Sequence, residues 1–172
     1  MGTGLSHYEQ LFYYYYCIIH IPITIAIDSS VVIPLKYHPA ATLVNWHIAQ
    51  NNDFLLYEKP NWLYWFVIIE LLFQLPLFFY FIKGFRSIWN TNSLTKDDKV
   101  RLYKAKTTLF KYLRIYGINA SFTSLVCIIV IIQRGYYPNS LDIEIPLSQS
   151  DMVNLVMVYL PTFIIPLRLC FV

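Results

Sequence analysis

Two polar pairs sit inside stretches of the chain that are otherwise hydrocarbon. In "HIPITIAIDSS", His20 and Asp28 lie eight residues apart, two helical turns with a small angular drift, so a helix presents both on one face. In "YWFVIIELLFQLPLFFYFI", Glu70 and Gln74 are four apart and again share a face. A carboxylate ionised near mid-bilayer costs roughly 2.5 to 3.5 kcal/mol on insertion scales, so such residues turn inward and find partners. No Lys or Arg lies in the surrounding span sequence to neutralise Glu70. Its partner is then either a second, protonated carboxyl, for which Asp28 is the candidate, or a bound cation. A shared negative charge in an apolar, aromatic-lined pocket selects a hydrophobic molecule carrying a protonated amine. On the residues alone a plainer alternative stays open, in which Asp28 lies wet at the end of its span and Glu70 bonds a neighbouring helix.

The elements that must position these residues are membrane helices. The chain has 172 residues, 57% of them hydrophobic, and a mean hydropathy of +0.48, well above an ordinary soluble domain. Four stretches, about 11–32, 62–82, 108–132 and 152–172, reach the roughly 20 apolar residues that a transmembrane helix needs. Runs such as "LVCIIVII" do not alternate, which excludes a transmembrane barrel. The expected fold is therefore an all-α bundle of four transmembrane helices around an internal ligand cavity, in one domain spanning 1–172. Span three adds Asn119, Ser121, Thr123 and Ser124, and span four adds Asn154, Tyr159 and Pro161, so every helix has a polar side. The first span has no basic region before it and no small-residue cleavage site after it, so it reads as an anchor, not a signal peptide.

Nine of the thirteen Lys and Arg lie at or within the connection 83–107 and the start of span three (Lys83, Arg86, Lys96, Lys99, Arg101, Lys104, Lys106, Lys111 and Arg114). The positive-inside rule makes that connection and both termini cytoplasmic. Asp53, Glu58, Asp142, Glu144 and Asp151 then face the opposite side. Thr95 is expected to cap a basic helix that has Asp97 and Asp98 in its first turn and runs on into span three. Ser148 and Asp151 have capping-box spacing at the start of span four, and Pro60 suits the first turn of span two. The tyrosines of "FYYYYC" read as an interfacial belt. Cys17, Cys127 and Cys170 are isolated and read as free thiols. No metal cluster, nucleotide loop, cofactor motif or nucleophile with its base is evident, and the basic residues belong to one membrane-adjacent segment, which excludes nucleic-acid work.

The strings "HIPITIAID", "LLYEKPNWLYWFVIIELLFQLPLFF" and "VYLPTFIIPL", in this order along the chain, resemble the sigma-2 receptor family. These are small multi-span proteins of the EXPERA domain class, which also includes the emopamil-binding sterol isomerases. The resemblance covers all four spans. It implies a homodimeric membrane receptor of the endoplasmic reticulum, found also in endolysosomal and nuclear-envelope membranes. Its occluded pocket opens sideways to the bilayer and binds sterols and cationic amphiphiles, and it acts on sterol homeostasis through a transporter partner. Carried onto this chain, the resemblance gives Asp28 the salt bridge to a ligand amine and makes Glu70 its protonated neighbour. Asp53 would brace the loop beside Asp28. His20, Gln74, Thr123 and Tyr159 would line the pocket, with Trp46 nearby. Two departures stand out: the basic connection is some twenty residues longer than the family pattern, and the end "LRLCFV" lacks the family's lysine-rich tail. The isomerases carry His and Glu one turn apart on span two, where this chain has Glu70 and Gln74, so binding without catalysis is the expected function. An isomerase and a trafficking scaffold are the alternatives.

Overall fold

A computed structural model describes residues 4–90, 96–138 and 144–172. Seven α-helices follow in order: α1 (His7–Ala26), α2 (Ala41–Asn51), α3 (Phe54–Glu58), α4 (Asn61–Ile69), α5 (Leu75–Trp89), α6 (Lys96–Arg134) and α7 (Gln149–Leu169). Among the described residues, four helical segments are long and apolar enough to cross a membrane: His7–Val31, Asn61–Trp89, Asp97–Arg134 and Gln149–Leu169. The protein is thus an all-α, multi-pass membrane bundle, in which each backbone amide finds its partner within its own segment.

Local sequence sets where the helices begin and end. Ser6 caps α1, and its hydroxyl and the Glu9 carboxylate reciprocally bond the Glu9 and Ser6 amides, a complete capping box. Ser148 caps α7 by accepting from the Asp151 amide. Pro60 is the cap residue of α4, one position outside the first turn. Thr95, the expected cap of α6, and Asp142, counted among the acids of the far side, lie outside the described residues.

Between α4 and α5 the span widens into a π-helical turn over Glu70–Gln74, closed by the Leu75 amide bonding the Glu70 carbonyl. Pro76 stands just beyond it. A π-turn leaves room for the proline ring and loosens the ladder where its amide is missing, a feature that recurs at functional sites. Pro166 in α7 likewise leaves the Thr162 carbonyl without its helical donor, and Ser124 of α6 supplies one, its hydroxyl 3.1 Å from that carbonyl. The contact lies in a seam of small residues, Gly117, Ser121 and Ser124, along which α6 and α7 pack closely. Ser124→Ala is expected to lower stability by about 1 kcal/mol, readable as a lower midpoint in a thermal melt of the protein in nanodiscs.

Two apolar cores lie at opposite ends of the bundle. One joins Tyr13, Cys17, Phe78, Phe81, Leu113 and Leu169, among others. The other joins Val44, Ile48, Phe54, Leu63, Ile131 and Leu155. The second core means that the connection between the first two spans is no loose loop: α2 and α3 bury Val44 and Phe54 completely and close that end of the bundle. The candidate site occupies the level between the cores.

Candidate functional site

α1 ends at Ala26, and Asp28 opens a short 3-10 turn over Asp28–Val31. The uninterrupted helix expected to align His20 with Asp28 therefore stops short of Asp28, yet both side chains line the same cavity. Across from them the π-turn carries Glu70 and Gln74 on the cavity wall. Thr24 of α1 stands beside the acids, and its hydroxyl donates to Glu70 Oε1 at 2.9 Å. His20 Nε2 lies 3.8 Å from Glu70 Oε1, its ring stacked on Tyr16 at 5.0 Å between centroids and edge-on to Phe78 at 5.3 Å. Gln74 donates to Asn119 Oδ1 at 2.8 Å. Among the described residues, no Lys or Arg lines the cavity.

A second polar node lies beside Asp28. Asp53 is fully buried, caps α3 through the Leu56 amide at 3.1 Å, accepts from the Tyr159 hydroxyl at 3.0 Å and lies 3.4 Å from His47 Nε2. These contacts lock α2, α3 and α7 together around one carboxylate. Lys59, left-handed at φ 52°, adds a bond from its ammonium to the Ser30 carbonyl, and partial burial holds its pKa below the ordinary lysine value. Removing the Tyr159 hydroxyl takes one donor from a buried carboxylate, so Tyr159→Phe is expected to destabilise the fold by about 1.5 to 3 kcal/mol, measured as thermal unfolding in nanodiscs.

The structure thus brings Asp28, Glu70, Asp53, His20, Gln74, Thr123 and Tyr159 to one cavity. Trp46 is not among them. Its side chain is 60% exposed on the outer face of α2, and the next residue, His47, takes the inward position. Helical rotation of about 100° between neighbours separates the two. The tyrosine run also divides by helical phase. Tyr15 stays exposed as expected of a belt, but Tyr13 and Tyr14 are buried, and the Tyr16 hydroxyl meets that of Tyr116 at 3.1 Å at the cavity floor. Thr24, His47 and Tyr16 are site residues that sequence reasoning missed. Tyr13, Tyr16 and His20 recur at helical spacing, the one signal that could have shown that face turned inward.

The inner cavity measures about 170 Å³ and joins an outer groove of about 760 Å³ between α1 and α7. Tyr16, His20, Ile23, His47 and Thr162 line both spaces, and Tyr8, Phe12, Ile19, Pro161 and Ile165 make the groove almost wholly apolar. A small acidic chamber thus opens into a large apolar slot on the lipid-facing side of the bundle.

The family model for EXPERA, the expanded EBP superfamily, matches residues 39–172. The chain belongs to the EXPERA family. Efficient mitochondria targeting-associated protein 19 of Saccharomyces cerevisiae is 54% identical over 170 residues, covering 98% of this chain and 99% of its own. Sigma intracellular receptor 2 of Xenopus tropicalis is 30% identical over 166 residues, covering 94% of this chain and 84% of that protein. The human protein of the same name is 39% identical over 75 residues, 40% of this chain. The EXPERA match begins at residue 39, after His20, Thr24 and Asp28, whereas the yeast and frog alignments take in nearly the whole chain. In this EXPERA protein the acidic chamber therefore joins residues of the matched region to His20 and Asp28 from the segment before it.

Proposed function

We propose that this EXPERA protein is an intracellular membrane receptor for a sterol or a cationic amphiphile. The head of the ligand enters the acidic chamber and its apolar body lies in the groove between α1 and α7. The observation that carries the reading is that Asp28 and Glu70 face one chamber in which, among the described residues, no lysine or arginine stands. Two carboxyls that face one small, largely enclosed chamber favour keeping a proton on one of them, and an ammonium group can neutralise the charge that remains. The volumes support this division of the ligand. At about 170 Å³ the chamber holds a head group but not a sterol skeleton, for which the groove of about 760 Å³ is large enough. Asp28 serves as the ammonium partner, Glu70 as the proton-holding neighbour and Asp53 as the brace between α3 and α7.

Catalysis is the second reading, favoured by His20 standing 3.8 Å from Glu70, an arrangement able to move a proton on a sterol. Against it, the position one turn beyond Glu70 is Gln74, an amide that does not titrate and is already engaged by Asn119. The test is lipid analysis of protein purified gently in nanodiscs. A bound sterol that a hydrophobic amine displaces is expected; conversion of added sterol to a double-bond isomer moves the assignment to the isomerase, and absence of binding by either ligand class removes it. The name of the yeast relative points to a role in targeting to mitochondria, which a receptor of this kind serves if ligand occupancy governs a partner.

The reading places the protein in the endoplasmic reticulum membrane with both termini and the basic connection in the cytosol. An engineered glycosylation site between α6 and α7 is then expected to be modified, and one between α5 and α6 to stay bare.

A further inference from the structure

α6 is far longer than a bilayer requires. Its 39 residues extend about 58 Å at 1.5 Å per residue, against a hydrocarbon core of about 30 Å. The surplus is at the basic end. From Asp97 to Thr108 no residue is buried, and burial begins at Leu109, so about three turns of helix stand clear of the bundle. Arg86, Arg114 and Arg168 form a ring of cations about a turn inside this end of the bundle, through bonds to the Tyr14 hydroxyl, the Val172 carbonyl and Glu9, and cations at such a ring are expected at the hydrocarbon edge.

One face of this projecting helix is both apolar and basic. Val100 is 56% exposed and Tyr103 72% exposed. At about 100° per residue they form a stripe, with Lys99 and Lys106 along one edge and Lys104 and Arg101 along the other. Asp98 and Leu102 fall on the opposite side and are partly covered. None of the four cations has an acidic partner among the described residues.

Height decides what this face meets. Lys104 lies ten residues and Lys99 fifteen residues outward of Arg114, about 15 and 22 Å along the axis. The headgroup layer is only about 5 to 7 Å deep, which leaves these charges about 8 to 15 Å above it, one to two screening lengths at physiological salt. An ordinary tilt of about 20° shortens the heights by less than a tenth. The helix cannot fold down onto the surface either, since no Pro or Gly occurs between Lys96 and Tyr116 to hinge it. Anionic lipid therefore attracts Lys111 and Arg114 but acts weakly on Lys99, Arg101 and Lys104.

We propose that the projecting part of α6 is a docking site for an acidic, amphipathic protein segment, whose apolar residues cover Val100 and Tyr103 while its carboxylates pair with the flanking cations. The occupant is protein and not membrane because of the standoff, and helix-on-helix recognition suits a preformed stripe of this spacing.

The probe is a synthetic Glu- and Leu-rich amphipathic peptide, titrated against the full chain in nanodiscs of neutral lipid. Measurable binding is expected, weakening with added salt and falling at least about tenfold in Lys99→Glu/Lys104→Glu/Lys106→Glu, with a similar loss in Val100→Ser/Tyr103→Ser. Circular dichroism and sterol binding should stay at wild-type levels in both. A Tyr103→Trp reporter then separates the two sources of negative charge. Its emission should shift on adding peptide and stay unchanged when phosphatidylserine replaces neutral lipid. A shift caused by phosphatidylserine alone, or peptide affinity that is absent or indifferent to both sets of substitutions, overturns the proposal.

Discussion

Replacing Asp28 by Asn is expected to weaken binding of a hydrophobic tertiary amine by about 30-fold to 1000-fold, or about 2 to 4 kcal/mol. The size of the effect follows from the surroundings. Among the described residues, the chamber holds no Lys or Arg that could take over the charge balance, and removing one member of a buried, hydrogen-bonded charge pair leaves the other unpaired in a medium of low dielectric. Glu70→Gln should cost less, because under the proposed assignment Asp28, and not Glu70, meets the ammonium. A neutral sterol should bind both variants within about threefold of wild type, since its affinity rests on the apolar groove. The unliganded Asp28→Asn protein should melt no lower than wild type, because without ligand no cation in the chamber offsets the Asp28 charge. Amine affinity that survives in a folded Asp28→Asn protein would end the assignment of Asp28 as the ammonium partner.

Gly117→Val is expected to cause the largest loss of stability. A Cβ at this position would stand 2.7 Å from the Pro166 carbonyl oxygen and 2.8 Å from the Leu169 Cβ. Both belong to the backbone or the base of a side chain in α7, so the whole helix must move. Overpacking of this kind costs about 1 to 3 kcal/mol for a single added group and more for a branched one. Gly84→Ala is the control: its new Cβ meets only the end of the Leu109 side chain, at 2.8 Å, which can rotate away, and the gain in helix propensity offsets part of the cost. A thermal melt in nanodiscs that ranked Gly84→Ala as the more damaging of the two would contradict the close α6 and α7 seam.

That seam also shows why some features were legible beforehand and others were not. Gly117, Ser121 and Ser124 are ordinary small residues in an apolar run, and nothing nearby in the chain reveals that a proline in another helix has left a carbonyl in need of the Ser124 hydroxyl. The same holds for Thr24, whose bond to Glu70 joins residues 46 apart, and for His47, whose inward direction depends on how α2 packs under the bundle.

The sequence by itself determined the number and apolar character of the spans, the polar side of each and the presence of acids that hydrocarbon would not tolerate unpaired, because length, hydropathy and the energetic penalty of a buried charge are local properties of the chain. Only the tertiary structure decided that α1 stops before Asp28, that Glu70 rides on a π-turn, that Trp46 faces outward, and that a small acidic chamber opens into a much larger apolar groove. Each of these depends on contacts between elements far apart along the chain, where packing and the placement of prolines override helical periodicity.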